Sequence, residues 1–353
     1  MKKMWINKAS FILAAAFFAA AASYAPSLAH AGESGPYPEL PYKEFIFPLG
    51  LIPSSHASSI AELPNGDLYA VWHASWAPKS VIWGSRRPAG GDKWTLPSII
   101  NRTPGHGNKN PVLYFGPDEK LWLFWGIEKR WPFKIIEDTI WLKKSSDFGR
   151  TWDEAGAVKV LPWFLGRTHP IKLQDGSILL PVYTDLCTSS AAVISRDCGL
   201  TWKGPRYILF FFGIQPTIIQ RPDLSLFALM RTGTWPRFAW QAVSRDGGRS
   251  WKEQRLSNVR NPGFSLEMIK LDSGNVVMAF NNARTDRDSL SIALSRDGGR
   301  TWPHVRMIEC KAGHVYGYPS VIQDKHGLIH VVYSYDNRNT IAHFVTNEQW
   351  LMK

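Results

Sequence analysis

Short apolar runs rich in Val, Ile, Leu and aromatic residues alternate with clusters of Asp, Asn, Gly and Pro along most of the chain, and helical periodicity is nearly absent. The segments HASSIAEL and LYAVWHA, separated by PNGD at 64–67, show the unit: two runs of strand length around a tight polar turn, which predicts a β-hairpin. The same arrangement recurs at GPDEKL (116), QDGSI (174), RPDLSL (221), DSGNV (272) and DKHGLI (324), giving six hairpins at a spacing near fifty residues.

A second polar turn shares that period. SSDFGRTW, SRDCGLTW, SRDGGRSW and SRDGGRTW begin at 145, 195, 244 and 295, and GSRRPAGGDKW at 84–94 reads as a decayed copy. The Asp can accept backbone hydrogen bonds inside the turn, the Gly permits positive φ, and the closing Trp can fill the gap to the next unit. Each unit then consists of four strands joined by two kinds of turn. The pattern predicts an all-β fold, a six-bladed β-propeller of four-stranded antiparallel blades, with residues 32–353 as one domain. A solenoid would use shorter repeats and would not need four strands in each.

The first thirty-one residues depart from this pattern. Lysines at 2, 3 and 8 frame an apolar stretch that ends in Ala29-His30-Ala31, the order of a cleaved secretory signal, so the expected location is periplasmic or secreted. The apolar run is short for a bilayer span, and no stable membrane insertion is expected after cleavage. Removing three lysines from the formal charge of +12 leaves about +9. An exported basic protein suits an anionic partner. Without an extended Lys/Arg run, acidic glycans fit better than nucleic acid. The 17 Trp add surfaces on which sugar rings can stack. Cys187, Cys198 and Cys310 are too few and too scattered for a disulfide framework, and Cys187 and Cys198 fall at opposite ends of one predicted strand. HExxH, GxGxxG and GxxxxGK are missing from the sequence, so neither a metal nor a nucleotide cofactor is expected, and the chain reads as a monomer.

Strand polarity locates the functional face. Both turn types follow odd-numbered strands and therefore share one face. The opposite face collects the start of each first strand and the loops between second and third strands. By that rule the first strands bring His56, Asn110, Arg167 with His169, Gln215, Glu267, and Tyr316 with Tyr318 toward the axis. The loops add His73 to Lys79, Glu128 to Lys134, Asp185, Arg231 to Arg237, Asn281 to Asp288, and Asp336 to Arg338. Arginines are frequent in this set, and several converging guanidinium groups form a clamp for a carboxylate.

The boxes, together with NPVLYFGPDEKLWLFW, IQPTII, NPGFSLEMIKLDSG and GYPSVIQDKHGLIHVVYSY, resemble the sialidase superfamily, in particular its BNR-repeat, sialidase-like proteins of bacteria and plants. The resemblance covers nearly all of residues 32–353. It implies an exo-glycosidase in which arginines hold a substrate carboxylate, a Tyr backed by a Glu attacks the anomeric carbon, and an Asp protonates the leaving group. This is a departure from the usual pair of catalytic carboxylates. Tyr318 falls at the position of the nucleophile, Arg231 and Arg287 at two clamp positions, with Arg284 as a rival to Arg287. Arg167, Arg237, Asn110 and His56 are expected to line the substrate site.

The chain departs from the family pattern at three points. His56 occupies the place of the blade 1 clamp arginine, and would have to be protonated to hold a carboxylate. The blade 1 loop HASWAPKS has no carboxylate, which leaves Asp185 or His73 to supply a proton. Gln215 stands where a Glu is expected, making Glu267 the nearest replacement. Three readings fit: hydrolysis of a terminal acidic sugar, lectin-like retention of an anionic glycan without turnover, and elimination on a uronic-acid polymer with His73 or Tyr318 as base.

Overall fold

All six polar turns close hairpins. The computed structural model describes residues 37–353 except 77, 78, 131–135 and 234, and the segment read as a signal, 1–31, lies outside them. The strand pairs flanking the turns run His56–Glu62 with Leu68–Trp76 in blade 1 through to Gly317–Gln323 with Ile329–Tyr335 in blade 6. Each hairpin gains further antiparallel strands to give six separate sheets, the blades of a β-propeller.

Two blades differ from the repeat. In blade 6 the outermost strand is Tyr42–Phe45 from the start of the domain, paired antiparallel with Thr340–Thr346. A segment from the start of the domain thus completes the last blade and closes the ring. The four-residue strand YKEF, alternately half-buried and exposed, was too short to register in the sequence pattern. In blade 3 the innermost strand is split into Leu165–Gly166 and Ile171–Lys172, both pairing with Ile178–Thr184. Arg167, Thr168 and His169 occupy the break.

Adjacent blades are joined by apolar seams. Val71, Ile82, Leu113 and Leu123 fill the seam between blades 1 and 2, for example, and Ile219, Leu229, Met268 and Met278 that between blades 4 and 5. Each such fully buried side chain contributes about 1.5–3 kcal/mol. The recurring Asp turns hold the opposite face together. Asp197 Oδ1 accepts from Thr201 N at 2.9 Å, and Ser195 Oγ accepts from Gly199 N at 2.8 Å. Trp202, which ends that turn, packs edge-on against Phe124 of the preceding blade with ring centroids 5.7 Å apart. Gly199 has φ +79°, and a Cβ there would lie 2.9 Å from the Trp122 ring. The turn is a stabilising element on the face away from the loops. Cys187, Cys198 and Cys310 are free thiols.

Candidate functional site

Four first strands share a local distortion at their axial end. Ala57, Asn110, Gln215 and Tyr318 have φ of +52°, +47°, +54° and +55°, each at a break in strand register. In three of them the next residue is Pro: Asn110-Pro111, Gln215-Pro216 and Tyr318-Pro319. Left-handed backbone is costly for a side chain before proline, and a bulge redirects that side chain out of the regular in-and-out alternation. Three blades thereby turn Asn110, Gln215 and Tyr318 toward one another above the channel.

The three polar residues belong to a continuous hydrogen-bond chain. Asn110 Nδ2 donates to the Tyr183 hydroxyl at 2.7 Å, and Gln215 Nε2 lies 3.4 Å from the same oxygen. Arg231 Nη1 donates to Gln215 Oε1 at 3.2 Å and to the Tyr318 hydroxyl oxygen at 3.0 Å. Arg287 stacks on Phe264, its guanidinium carbon 3.3 Å from the ring centre. Burial, together with the like charges of Arg231 and Arg338, lowers Arg287 to about 10 despite Tyr318. Arg231, Arg287 and Arg338, from blades 4, 5 and 6, thus form one cationic group, of which Arg231 and Arg287 act on Tyr318 and Arg338 on Arg287, His56 and His73. Among the described residues, no carboxylate lies within ion-pair distance of any of the three.

Burial alone would raise the Tyr318 hydroxyl. Arg231, the hydrogen bond with Gln215, Arg287 and Arg167 outweigh it and hold the phenol below its ordinary value of 10. The surrounding cations therefore ease ionisation of the phenol against the effect of burial. His56 packs against this ring, with centroids 4.0 Å apart, and its Nδ1 lies 3.0 Å from Ser334 Oγ. Burial and the charges of His73, Arg338, Arg167 and Arg287 keep His56 well below 6.5, so it is a neutral imidazole. The arginines around His56 oppose the protonated state in which it could hold a carboxylate.

His73 is neutral as well. Its Nδ1 accepts from Asn110 N at 3.2 Å, which places the proton on Nε2, and burial with the charges of Arg338, Lys109 and Arg167 lowers it to about 3. An imidazole of that pKa carries no acidic proton at neutral pH. Asp185 is different: its side chain has solvent access at the rim, yet partial burial raises its carboxyl against the opposing charges of Lys109 and Arg231. Asp138, one blade away, is raised in the same sense by burial and by Asp185 and Glu128, although Lys109 Nζ contacts it at 2.9 Å. Lys109 also pairs with Glu128 at 2.9 Å. In this acidic corner beside the arginines, burial opposes ionisation of Asp185 and Asp138 while Lys109 favours it.

Two charged residues singled out from the sequence lie beneath the pocket. Arg167 is buried and donates to the carbonyls of Ser58, Tyr318 and Pro319 at 3.1, 2.6 and 2.9 Å. Three donors of its guanidinium are thus directed at backbone, while Nε has no hydrogen-bond partner among the described residues and the guanidinium carbon lies 5.4 Å from the centre of the Tyr318 ring. Glu267 Oε1 accepts from His169 N at 2.6 Å and lies 2.9 Å from His169 Nδ1, while Oε2 accepts from Val321 N at 3.0 Å. His169 Nε2 lies 2.9 Å from the Ile60 carbonyl. Burial would raise Glu267, but His169 and Arg167 hold it below the usual carboxylate range; burial would lower His169, but Glu267 raises it. This hub ties blades 1, 3, 5 and 6 at the axis, and a cavity of about 360 Å³ lined by Ile60, Leu113, His169, Ile269 and Val321 lies on its far side. Arg237 donates to the Pro262 carbonyl at 3.0 Å on the blade 4 side of the rim.

Four residues of this site carried no individual assignment in the sequence reading: Arg338, Lys109, Tyr183 and Asp138. Arg338 closes a loop already placed on this face, and Lys109 and Tyr183 lie within two residues of Asn110 and Asp185. Asp138 gave no signal, since its orientation depends on register along the long strand Ile136–Ser145. Among the described residues, no group of three or more His, Cys, Asp or Glu gathers to hold a metal ion.

A six-bladed propeller with a cationic, tyrosine-centred pocket at the axial end of its first strands has the architecture of the sialidase superfamily. The BNR repeat-like domain model matches residues 66–331, and the chain belongs to that family. A sialidase of Bacteroides fragilis (strain YCH46) is 25% identical over 223 residues, which is 57% of this chain and 40% of that protein. The chain thus spans less than half the length of that relative. Among solved structures, a leech intramolecular trans-sialidase bound to 2,7-anhydro-Neu5Ac superposes with a TM-score of 0.73 at 14% identity, covering 88% of this chain and 71% of that one. An α-L-arabinanase of Penicillium chrysogenum complexed with arabinobiose gives a TM-score of 0.64 at 18% identity, over 88% and 98% of the two chains. At these identities the structural likeness establishes the fold.

Proposed function

We propose that this protein is an exo-glycosidase that removes a terminal acidic sugar from a glycan through a covalent Tyr318 intermediate. The observation that carries the reading is the 3.0 Å contact between Arg231 and the Tyr318 hydroxyl within a group of three arginines from separate blades. Arg231, Arg287 and Arg338 would take the substrate carboxylate, as the names of the sialidase relatives suggest for the sugar. Tyr318 reacts as the phenolate that these charges favour, having released its proton to solvent beforehand. Its oxygen bonds to the anomeric carbon as the glycosidic C–O bond breaks, and the departing oxygen takes the proton of Asp185. Water then attacks the same carbon, gives a proton to the Asp185 carboxylate and releases the Tyr318 oxygen, so that configuration is retained. Glu267, fully engaged in the hub, positions the strand that carries Tyr318 and is not its base. We also read the protein as exported, on the order of basic, apolar and small residues in 1–31.

One observation favours a second reading, a glycan-binding propeller without turnover: an amide, Gln215, stands beside Tyr318 and cannot accept its proton. A fluorogenic sialoside, together with glycans ending in other sugar acids, separates the two. Hydrolysis lost in Tyr318→Phe supports the enzyme. Retention of acidic glycans with no product over a range of pH supports the binding module.

A further inference from the structure

The loop leading into Gln215 has a property that sugar chemistry does not require. Phe210, Phe211 and Phe212 are consecutive and 51, 48 and 52% exposed, and Leu186 and Trp235 on the flanking loops are each 74% exposed. Apolar side chains displayed in this way indicate an interaction surface, since isolated exposed apolar residues are common but contiguous ones are not. The loop is also firmly held. Phe211 N donates to Ser189 Oγ at 3.0 Å, Gly213 N to Phe211 O at 3.0 Å, and Ser190 Oγ to Gly213 O at 2.9 Å. Phe211 and Phe212 both adopt left-handed backbone, φ +64° and +68°. The turn thus holds the three half-exposed rings at the surface against a local backbone cost.

The ring geometry selects the partner. Phe210 and Phe211 meet at 88° with centroids 4.6 Å apart, and Phe211 and Phe212 at 60° with centroids 6.3 Å apart. Phe212 runs nearly parallel to a neighbour, Trp240, at 24° with centroids 6.2 Å apart, but the three consecutive phenyl rings share no plane and form a knob. Consecutive Phe beside Leu and Trp suits the boundary between lipid headgroups and acyl chains. Gly213 and Ile214 pair with Thr232 and Arg231, so the knob borders the arginine pocket on the same face. Exposed Arg260 and Arg284, at the pocket end of blades 4 and 5, add positive charge around it.

We infer that Phe210–Phe212 seats the pocket face on an anionic lipid bilayer, so that the arginine pocket opens toward the lipid surface. The knob would lie at headgroup depth; among the described residues, no helix is long and apolar enough to cross a membrane. The inference does not depend on the proposed chemistry, because lipid binding can be measured without a substrate.

The test is sedimentation of the full chain with vesicles of phosphatidylcholine and phosphatidylglycerol at about three to one, beside phosphatidylcholine alone. The expected result is binding to the anionic vesicles that falls by about tenfold or more in F210S/F211S/F212S, with a smaller fall in Leu186→Ser, which lies outside the strained turn. Melting profiles matching the parent establish that both variants are folded. Absence of pelleting by the parent, or equal pelleting by the folded triple variant, overturns the inference. So does a triple variant that instead dissociates a dimer in gel filtration, or loses affinity for soluble oligosaccharides while vesicle binding is absent from the parent; those results would assign the knob to a second copy of this chain or to a glycan.

Discussion

Arg231 Nη1 lies 3.0 Å from the Tyr318 hydroxyl oxygen and 3.2 Å from Gln215 Oε1, so one guanidinium on blade 4 both orients the amide and lowers the pKa of a phenol from blade 6. Donating to a phenolate is stronger than donating to a phenol, and the arginine therefore favours the ionised form.

Replacing Arg231 by Ala removes that donor together with one arm of the proposed carboxylate clamp. The expected loss is about a hundred- to a thousandfold in kcat/KM on an acidic-sugar substrate, the size of losing one charge-stabilising donor in a closed site. Arg231→Lys should recover only part of it, because an ammonium cannot span the two oxygens of a carboxylate. Steady-state kinetics on the purified variants decide the point, and full activity in Arg231→Ala would remove this residue from the site.

The pH profile has a definite form. Turnover requires Tyr318 ionised and Asp185 protonated. The first condition improves as pH rises toward the lowered Tyr318 value, and the second is lost as pH rises past the raised Asp185 value. With the carboxyl still the stronger acid, kcat/KM is flat between the two values, falls below that of Asp185 and falls again above that of Tyr318. Arg287→Ala removes a cation that holds the phenol down, so the alkaline limb should move upward while the plateau drops about tenfold for each unit moved. A rate that simply rises with pH excludes Asp185 as proton donor.

The propeller itself was legible because its information is local and repeated. Each hairpin turn and Asp turn is a short segment whose chemistry repeats near every fifty residues. Tyr42–Phe45 escaped notice because its role depends on meeting Thr340–Thr346, almost three hundred residues away, and nothing in YKEF specifies that partner. The pocket was legible in part. Strand polarity gave the correct end for Tyr318, Gln215 and Arg231, but not the direction of side chains set by tertiary contacts. Arg167 and Glu267 follow the same rule as Gln215, yet face the hub, because their positions lie on the undistorted or broken strands of blades 3 and 5 and not on a left-handed bulge.

At Gly299 the Asp turn can be tested against packing. Its φ is +84°, and an added Cβ would lie 2.8 Å from the Phe227 ring across the seam. Gly299→Ala combines an unfavourable backbone with a steric contact, and should destabilise the domain by about 1–3 kcal/mol. Denaturant unfolding measures this. Gly274→Ala, with φ +86° and no neighbour near the added carbon, isolates the backbone component and should cost less.

The hub makes its own pH-dependent contribution to stability. Glu267 is lowered from 4.5 in the folded state, so its contribution is present above that value and is lost as pH falls through the folded one. His169 is raised above 6.5, so its contribution is complete below 6.5 and fades as pH climbs through the folded value. Both are present together between about 4.5 and 6.5, but His56 and His73, held below 6.5 in the folded state, favour unfolding as pH falls under that value. Melting should therefore occur at the highest temperature near pH 6.5, and the hub's share is read as the difference between parent and variant. Glu267→Gln leaves a buried imidazole without its anion and should cost about 3 kcal/mol while flattening the pH dependence. An unchanged profile in that variant would mean that the pair is not charged.

Gln215→Glu distinguishes turnover from simple retention. The substitution adds a carboxylate within reach of Arg231 and Tyr318. It cancels part of the positive field, and this alone raises the phenol; it also provides an acceptor for the phenolic proton as the bond to sugar forms. If Tyr318 is a nucleophile short of a base, the second effect dominates and kcat should rise by about tenfold or more at mildly acidic pH, within the range of a well-placed general base. If the pocket only holds an anionic glycan, the new charge has no reaction to assist and faces the ligand's own carboxylate, so retention should weaken without any product forming. Product analysis and glycan binding on the same preparation read both outcomes, and a gain in turnover would show that the amide now limits the chemistry of this site.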